Sequence, residues 1–294
     1  MDVPVPVTSP ALASPLRLSR PAAQTTPMVF ASPHSGSNYP AAFVTSARLD
    51  PLDLRRSEDS FVDELFGAAP ACGVPLLAAT FPRAFCDANR EPWELDPAMF
   101  EDVLPNWVNT VSPRVGAGLG TIARVVASGE AIYRQKLRFA EAEQRVATCW
   151  QPFHDTLSRL IEETRARFGA CLLVDCHSMP AHGCVGRNGA GSIDFVLGDA
   201  HGTACAPRIT RRVEQLLLDL GYTVRRNDPY AGGYITRHYG RPREGVQALQ
   251  IEVARRLYMD EARIERSVGF ATVHRDIGAV IATLTDEAHA LLAG

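Results

Sequence analysis

Apolar residues gather in short, unbroken runs along this chain. Met28-Val29-Phe30-Ala31, Val74 to Ala79, Cys171-Leu172-Leu173-Val174, Ile193 to Leu197, Tyr222 to Arg225 and Val246 to Val253 are the clearest. Runs this short, without polar alternation, suit strands covered on both faces. The first ends at Pro33-His34-Ser35-Gly36, which reads as a strand delivering a loop, and the second is closed by Pro82. Between the runs the spacing turns helical. Phe61, Leu65 and Phe66 follow Ser57-Glu58-Asp59. Leu157, Leu160, Ile161 and Phe168 precede Gly169, and Ile209, Val213, Leu216, Leu217 and Leu220 form a stripe closed by Gly221. A glycine just past an apolar stripe is a common helix stop. The Ala-, Arg- and Glu-rich stretch from Glu130 to Gln151 predicts another helix, and a last helical region carries His274 and His289.

Strands alternating with helices predict a three-layer α/β domain. No internal repeat or linker interrupts it, so residues 28–294 are expected to form one domain. The loops Asn106–Gly120 and Met179–Gly191 are long and glycine-rich, and are expected to flank a cleft. The first 27 residues, rich in Pro, Ala, Ser and Thr, lack a basic region followed by an apolar stretch. They read as a flexible tail rather than a signal peptide.

The bulk numbers add exclusions. The chain has 294 residues, 46% hydrophobic and 21% charged, with net charge −3 and pI near 6.2. That balance carries no footprint for nucleic acid or an anionic membrane, and no apolar run approaches the roughly 20 residues that span a bilayer. Seven scattered cysteines without a CxxC pair fit a reducing compartment, so a cytoplasmic location is expected. Nothing points to a particular oligomeric state.

Several residues carry candidate chemistry. His34 and His177 each stand at the end of a strand, where α/β folds place ligands. In Asp175-Cys176-His177 the strand alternation puts Asp175 and His177 on one face and Cys176 on the other. Cys176 is thereby separated from the base a thiol nucleophile needs. Two imidazoles and a carboxylate form a catalytic zinc set with an open position. Asp59 and Asp63, four apart, open the helix after the first strand, either as ligands or as acids complementing the helix dipole. Asn89 and Arg90 stand together on a loop after Arg83, and a guanidinium fork suits a carboxylate or a polarised carbonyl. Glu252 interrupts an apolar strand, a costly placement unless it is paired or serves as a general base, and Gln250 shares its face. The stretch Asn227 to Gly240 reads as a mobile loop or hairpin, with Arg237 a candidate for a substrate carboxylate. His154 could reach the cleft. Gly116-Ala117-Gly118-Leu119-Gly120 lacks nucleotide-loop spacing, and there is no GxSxG elbow.

Six motifs in one order resemble the N-formylglutamate amidohydrolase family. They are Pro33-His34-Ser35-Gly36, Asp59 to Leu65, Arg83 with Asp87-Ala88-Asn89-Arg90, Asp175 to Pro180, Gly232 to Arg237, and Gln250-Ile251-Glu252-Val253. Together they span about Met28 to Glu261. That family looks related to zinc carboxypeptidases and aspartoacylases. The resemblance implies a phosphorylase/hydrolase-like αβα sandwich with a mixed sheet, and a divalent metal, zinc, bound by His34, an acidic residue and His177. It implies Glu252 as general base and Asn89-Arg90 near the substrate. The carboxypeptidase-type His-x-x-Glu pair is absent, because position 37 is Ser; Asp59 is the expected third ligand, with Asp63 behind it. Water attack on N-formyl-L-glutamate, giving formate and glutamate late in histidine degradation, is the implied reaction, with Arg90 helping to stabilise the oxyanion. Arg83, Asn89, Arg90 and Arg237 are the expected substrate contacts. The rivals are a deacylase of another N-acyl amino acid, a binding protein on the same fold, and a thiol hydrolase built on Cys176.

Overall fold

The structure, a computed structural model, describes residues 14–181 and 192–293. Seven strands form one sheet: β1 (Leu16–Ser19), β2 (Met28–Ser32), β3 (Leu76–Ala79), β4 (Cys171–Met179), β5 (Phe195–Gly198), β6 (Val224–Arg226) and β7 (Val246–Ala254). They lie in the order β1-β3-β2-β4-β7-β5-β6. The pairs β3–β2, β2–β4, β4–β7 and β5–β6 are parallel, whereas β1–β3 and β5–β7 are antiparallel. The sheet is therefore mixed, as expected. The helices are α1 (Ala41–Ser46), α2 (Pro51–Arg55), α3 (Val62–Leu65), α4 (Pro113–Gly116), α5 (Phe139–Arg145), α6 (Gln151–Phe168), α7 (Pro207–Asp219), α8 (Tyr234–Tyr239) and α9 (Phe270–Leu292).

The pleat sorts the strands between two cores. Met28, Phe30, Leu172, Val174, Cys176, Leu249, Ile251 and Val253 pack with α3, α7 and α9. Their alternate neighbours Val29, Ala31, Cys171, Leu173, Val246 and Ala248 pack with α6 and α8. This double cover explains the unbroken apolar runs and makes the three layers. In α9 the spacing of Val273, Ile277, Val280, Ile281, Leu284 and Ala288 gives one buried stripe, each large side chain contributing about 1.5–3 kcal/mol of hydrophobic stabilisation. Among the described residues no helix is long and apolar enough to cross a membrane.

Four expectations shift. Leu16–Ser19, placed in the tail, is instead an edge strand paired with Leu76–Ala79. Residues 130–138 do not start the predicted helix, which begins at Phe139. Ile132 and Leu137 are drawn into two separate side clusters, and isolated bridges tie Ala131, Tyr133 and Leu137 to other loops, so tertiary packing overrides helix propensity. The helix expected to open at Asp59 directly after the first predicted strand is one short turn, Val62–Leu65, which follows α1 and α2 and is preceded by Phe61 at φ 67. Asp59 lies outside that helix and shares no face with Asp63. Finally, the stretch expected as a mobile loop or hairpin ends in helix α8.

Candidate metal centre and active-site cavity

On the α6/α8 side of the sheet, the apolar face becomes polar at the carboxyl ends of β4 and β7. Parallel register sets Asp175 beside Gln250 and His177 beside Glu252. In a parallel pair, register partners share a face, so these four side chains form one patch. Gln250 Nε2 donates to Glu252 Oε1 at 2.7 Å. Thr236 Oγ donates to Asp175 Oδ2 at 3.2 Å. Cys176 points the other way into the α9 core, and burial pushes its thiol well up, which argues against the thiol hydrolase.

The loop after β2 brings His34 over this patch. It folds tightly, since a Cβ on Gly36 would lie 2.2 Å from the Phe81 carbonyl oxygen. The His34 and His177 rings meet edge to face at 4.8 Å. Asp59 reaches them from the loop before α3, its backbone N–H donating to the His34 carbonyl at 3.0 Å. Asp59 Oδ2 lies 3.0 Å from His177 Nδ1 and 3.4 Å from His34 Nδ1. Both histidines are anchored through the other nitrogen: His34 Nε2 lies 2.7 Å from Asp87 Oδ1, and His177 Nε2 lies 2.8 Å from Asp175 Oδ1. Both Nδ1 atoms therefore face Asp59.

These groups fit a cation. His34 Nδ1 is buried without a hydrogen-bond partner, an expense that a metal bond would remove. Ligand atoms on His34, Asp59 and His177 lie within 4.8 Å of one another. Ligands about 2.0–2.2 Å from a tetrahedral zinc stand roughly 3.4 Å apart, close to the two separations above. The electrostatics agree. Burial opposes ionisation of Asp59, but the hydrogen bond with His177 and the closeness of both imidazoles hold its carboxyl well below the usual range. Burial likewise opposes charge on His177, yet Asp175 and Asp59 raise it well above an ordinary histidine. A proton there does what a cation would do.

Asp63, the second choice for the acidic ligand, points elsewhere: it pairs with Arg17 on the surface and does not line the cavity. Arg255, which the sequence reading passed over, holds Asp59 instead. Its Nη2 donates to Asp59 Oδ1 at 3.0 Å and its Nε to Ser178 Oγ at 3.1 Å. Its sequence neighbours carry no signal of that partner.

The centre opens into a cavity of about 390 Å³, whose walls include Glu252, Arg83, Asn89, Arg90, Arg114 and Arg237. Burial pushes Glu252 up to about 7, with Asp59 adding to the rise and His177 and Arg83 opposing it. Arg83 Nη2 donates to Asp87 Oδ2 at 3.0 Å. Arg90 is more committed: Nε donates to the Leu119 carbonyl and Nη1 to that of Asn89, and burial pulls the guanidinium down to about 10. Trp150, in the π-helical stretch Val146–Trp150, donates to the Arg90 carbonyl at 3.0 Å. The Asn89 side chain serves mainly the protein, with Oδ1 accepting from Ile235 N–H at 2.8 Å and Nδ2 lying 3.2 Å from His177 Nε2. A Cβ on Gly233 would stand 2.3 Å from that amide nitrogen, which explains the glycine before α8. Arg237 stands on the rim. His154 does not reach the cavity. It is buried between Tyr239 Oη and the Ala88 carbonyl, where burial lowers it to about 4. Of the two loops expected at the cleft, 106–120 supplies Arg114 and Leu119; in the other, residues 182–191 lie outside the described residues.

Comparison with known proteins gives one consistent picture. The model of the N-formylglutamate amidohydrolase family matches residues 26–259. N-formylglutamate deformylase of Pseudomonas aeruginosa is 30% identical over 240 residues, covering 80% of this chain and 83% of that protein. The Pseudomonas putida enzyme of the same name is 29% identical over 239 residues, 80% of this chain and 82% of its own. A crystal structure of N-formylglutamate amidohydrolase from Ralstonia eutropha JMP134 superposes with a TM-score of 0.89 at 39% identity, covering 94% of this chain and 99% of that one.

Proposed function

The chain belongs to the N-formylglutamate amidohydrolase family, and from that premise we propose that it is a metal-dependent deformylase. It hydrolyses N-formyl-L-glutamate to formate and L-glutamate, within a single catalytic domain. The observation that carries this reading is the buried, unpartnered His34 Nδ1 beside Asp59 and His177, with Glu252 one strand away. His34, Asp59 and His177 would hold the cation. Zinc suits two imidazoles and a carboxylate, and would polarise the formyl carbonyl and acidify water.

The protein's own residues do the rest. Glu252 removes a proton from water as its oxygen adds to the formyl carbon; a carboxylate held near neutrality is matched to that task. Arg83 and Arg90 stabilise the negative charge that grows on the carbonyl oxygen and meet the carboxylate beside the amide. Arg83 has the freer guanidinium, paired with Asp87, while Arg90 fixes its charge in the wall. As the C–N bond breaks, Glu252 returns the proton to the leaving amine. Asn89 positions α8 and His177 beside the substrate, and Arg237 offers charge from the rim. Asp87 and Asp175 hold the two histidines so that both Nδ1 atoms face Asp59, the usual work of carboxylates behind metal-bound imidazoles. The reading places the reaction late in histidine degradation, in the cytoplasm.

The test is formate release from N-formyl-L-glutamate by purified protein of counted metal content, with and without chelator. Rapid release that chelation abolishes and zinc restores is expected. A rate indifferent to chelation sinks the metal mechanism, and release confined to other N-acyl amino acids sinks the substrate.

A further inference from the structure

Five arginines line the active-site cavity (Arg83, Arg90, Arg114, Arg237 and Arg255) against three carboxylates, Asp59, Asp87 and Glu252. Three of the arginines have internal work. Arg83 and Arg255 pair with Asp87 and Asp59. Arg90 is buried, with Asp87 3.6 Å away. Arg114 and Arg237 differ: among the described residues neither forms an ion pair, and Arg237 gives only its Nε, to the Gly232 carbonyl at 3.1 Å. Both also line the adjoining outer cavity, which places them where the inner site opens outward.

The two arginines stand on separate elements, each tied to the catalytic wall. Arg114 is on α4, capped by Ser112 Oγ accepting from Val115 N–H at 3.1 Å. Its carbonyl accepts from Leu119 N–H at 2.8 Å, and the Leu119 carbonyl holds Arg90. Arg237 is on α8, whose start is fixed by Asn89 on Ile235 N–H and by Gln250 Oε1 on Gly233 N–H. Two like charges kept unpaired at one opening are a cost to the empty protein that an anionic ligand removes. Glu91 and Glu94 line the outer cavity and turn an anion back toward the arginines.

We propose that Arg114 and Arg237 form a subsite for a second carboxylate, so that the enzyme selects N-acyl amino acids with an acidic side chain. The inference rests on the proposed hydrolysis over His34, Asp59 and His177. With the amide there, the carboxylate next to it meets the inner arginines, and the side-chain carboxylate extends to the opening. Five arginines against three carboxylates give the lining a positive excess that favours an anionic ligand.

The test compares kcat/KM for N-formyl-L-glutamate and its neutral counterpart N-formyl-L-glutamine, in wild type, Arg114→Gln, Arg237→Gln and Arg114→Lys. A charge-assisted hydrogen bond predicts that each Gln variant lowers the glutamate-over-glutamine ratio about 10- to 100-fold, mainly through KM. Arg114→Lys should recover part of it. A ratio within threefold of wild type in both Gln variants overturns the proposal, because a purely structural role lowers both substrates together. Calorimetric binding of L-glutamate against L-glutamine gives a readout independent of turnover. If wild type releases no formate but binds L-glutamate preferentially, and Arg114→Gln abolishes that preference, the substrate reading fails and the subsite stands. Equal binding of the two by wild type overturns the subsite whatever the turnover.

Discussion

Replacing Glu252 with Gln separates chemistry from folding at the position where the two conflict most. The substitution is nearly isosteric, and its carbonyl oxygen can still accept the hydrogen bond that Gln250 Nε2 gives to Oε1 at 2.7 Å. What disappears is the base. General-base catalysis contributes about 10²- to 10⁴-fold, so kcat for formate release should fall by that factor, with KM changed little. The fold should not suffer. Burial raises Glu252 from 4.5 to about 7, so the folded site resists its charge. An acid whose folded pKa is raised loses stability as pH rises from its unfolded value to its folded one, and the loss is complete above about 7. That window corresponds to a cost on the order of 3 kcal/mol in the metal-free protein, which the amide avoids.

The expected result is therefore an enzyme slowed at least a hundredfold whose metal-free form melts no lower at pH 8 than wild type. Formate release and metal content should be measured on the same preparation, and melting on its chelated portion. A kcat within tenfold of wild type, with metal content unchanged, would falsify the assignment of the base. A lower melting temperature in the variant would contradict the reading that the site strains against its own carboxylate.

Three further outcomes follow from named contacts. Asp175→Asn weakens the acceptor behind His177 Nε2, and chelator competition should find metal affinity lower by about 10- to 100-fold; unchanged affinity would separate Asp175 from the centre. His154 has its folded pKa depressed from 6.5 to about 4, so stability is full above pH 6.5 and falls as pH drops toward 4, by up to about 3 kcal/mol. Urea denaturation at pH 7 and 4.5 should show a shallower acid loss in His154→Gln, and equal losses in both proteins would remove His154 as the cause. Cys176→Ala should keep wild-type kcat, since the side chain lies in the α9 core; loss of turnover in a folded variant of full metal content would revive the thiol reading.

The central strands were legible because their faces are covered on both sides, which leaves no polar alternation to confuse them. His34, His177 and Glu252 were legible because each breaks or ends such a run. Asp59 was visible only as one of two acids, and the spacing argument that grouped it with Asp63 assumed a helix beginning three residues too early. Phe61 at φ 67 turns the chain between them, and no local propensity announces that turn. The β1 edge strand escaped because Leu16–Ser19 is short and half-exposed, stabilised by pairing with β3 rather than by its own pattern. Arg114 and Arg255 escaped for a related reason: an arginine's meaning lies in whether a distant carboxylate meets it, and their neighbours in sequence say nothing of that.

The sheet register does more than stack the core. Moving β4 by one residue would turn Asp175 and His177 into the α9 core and present Cys176 to the cavity. The apolar alternation through Leu172, Val174 and Cys176 on one face and Cys171 and Leu173 on the other holds that register, so hydrophobic packing fixes which side chains do the chemistry. The cost is local: Asp59, Asp87, Asp175 and Glu252 are all buried, and isolated buried carboxylates are strongly unfavourable. Arg255, Arg83 and Thr236 offset part of it through direct hydrogen bonds. What they leave uncompensated converges on the two Nδ1 atoms and Asp59 Oδ2. A cation bound there links the stability of the fold to the assembly of the site, through a mass-action term that grows with its concentration over its Kd.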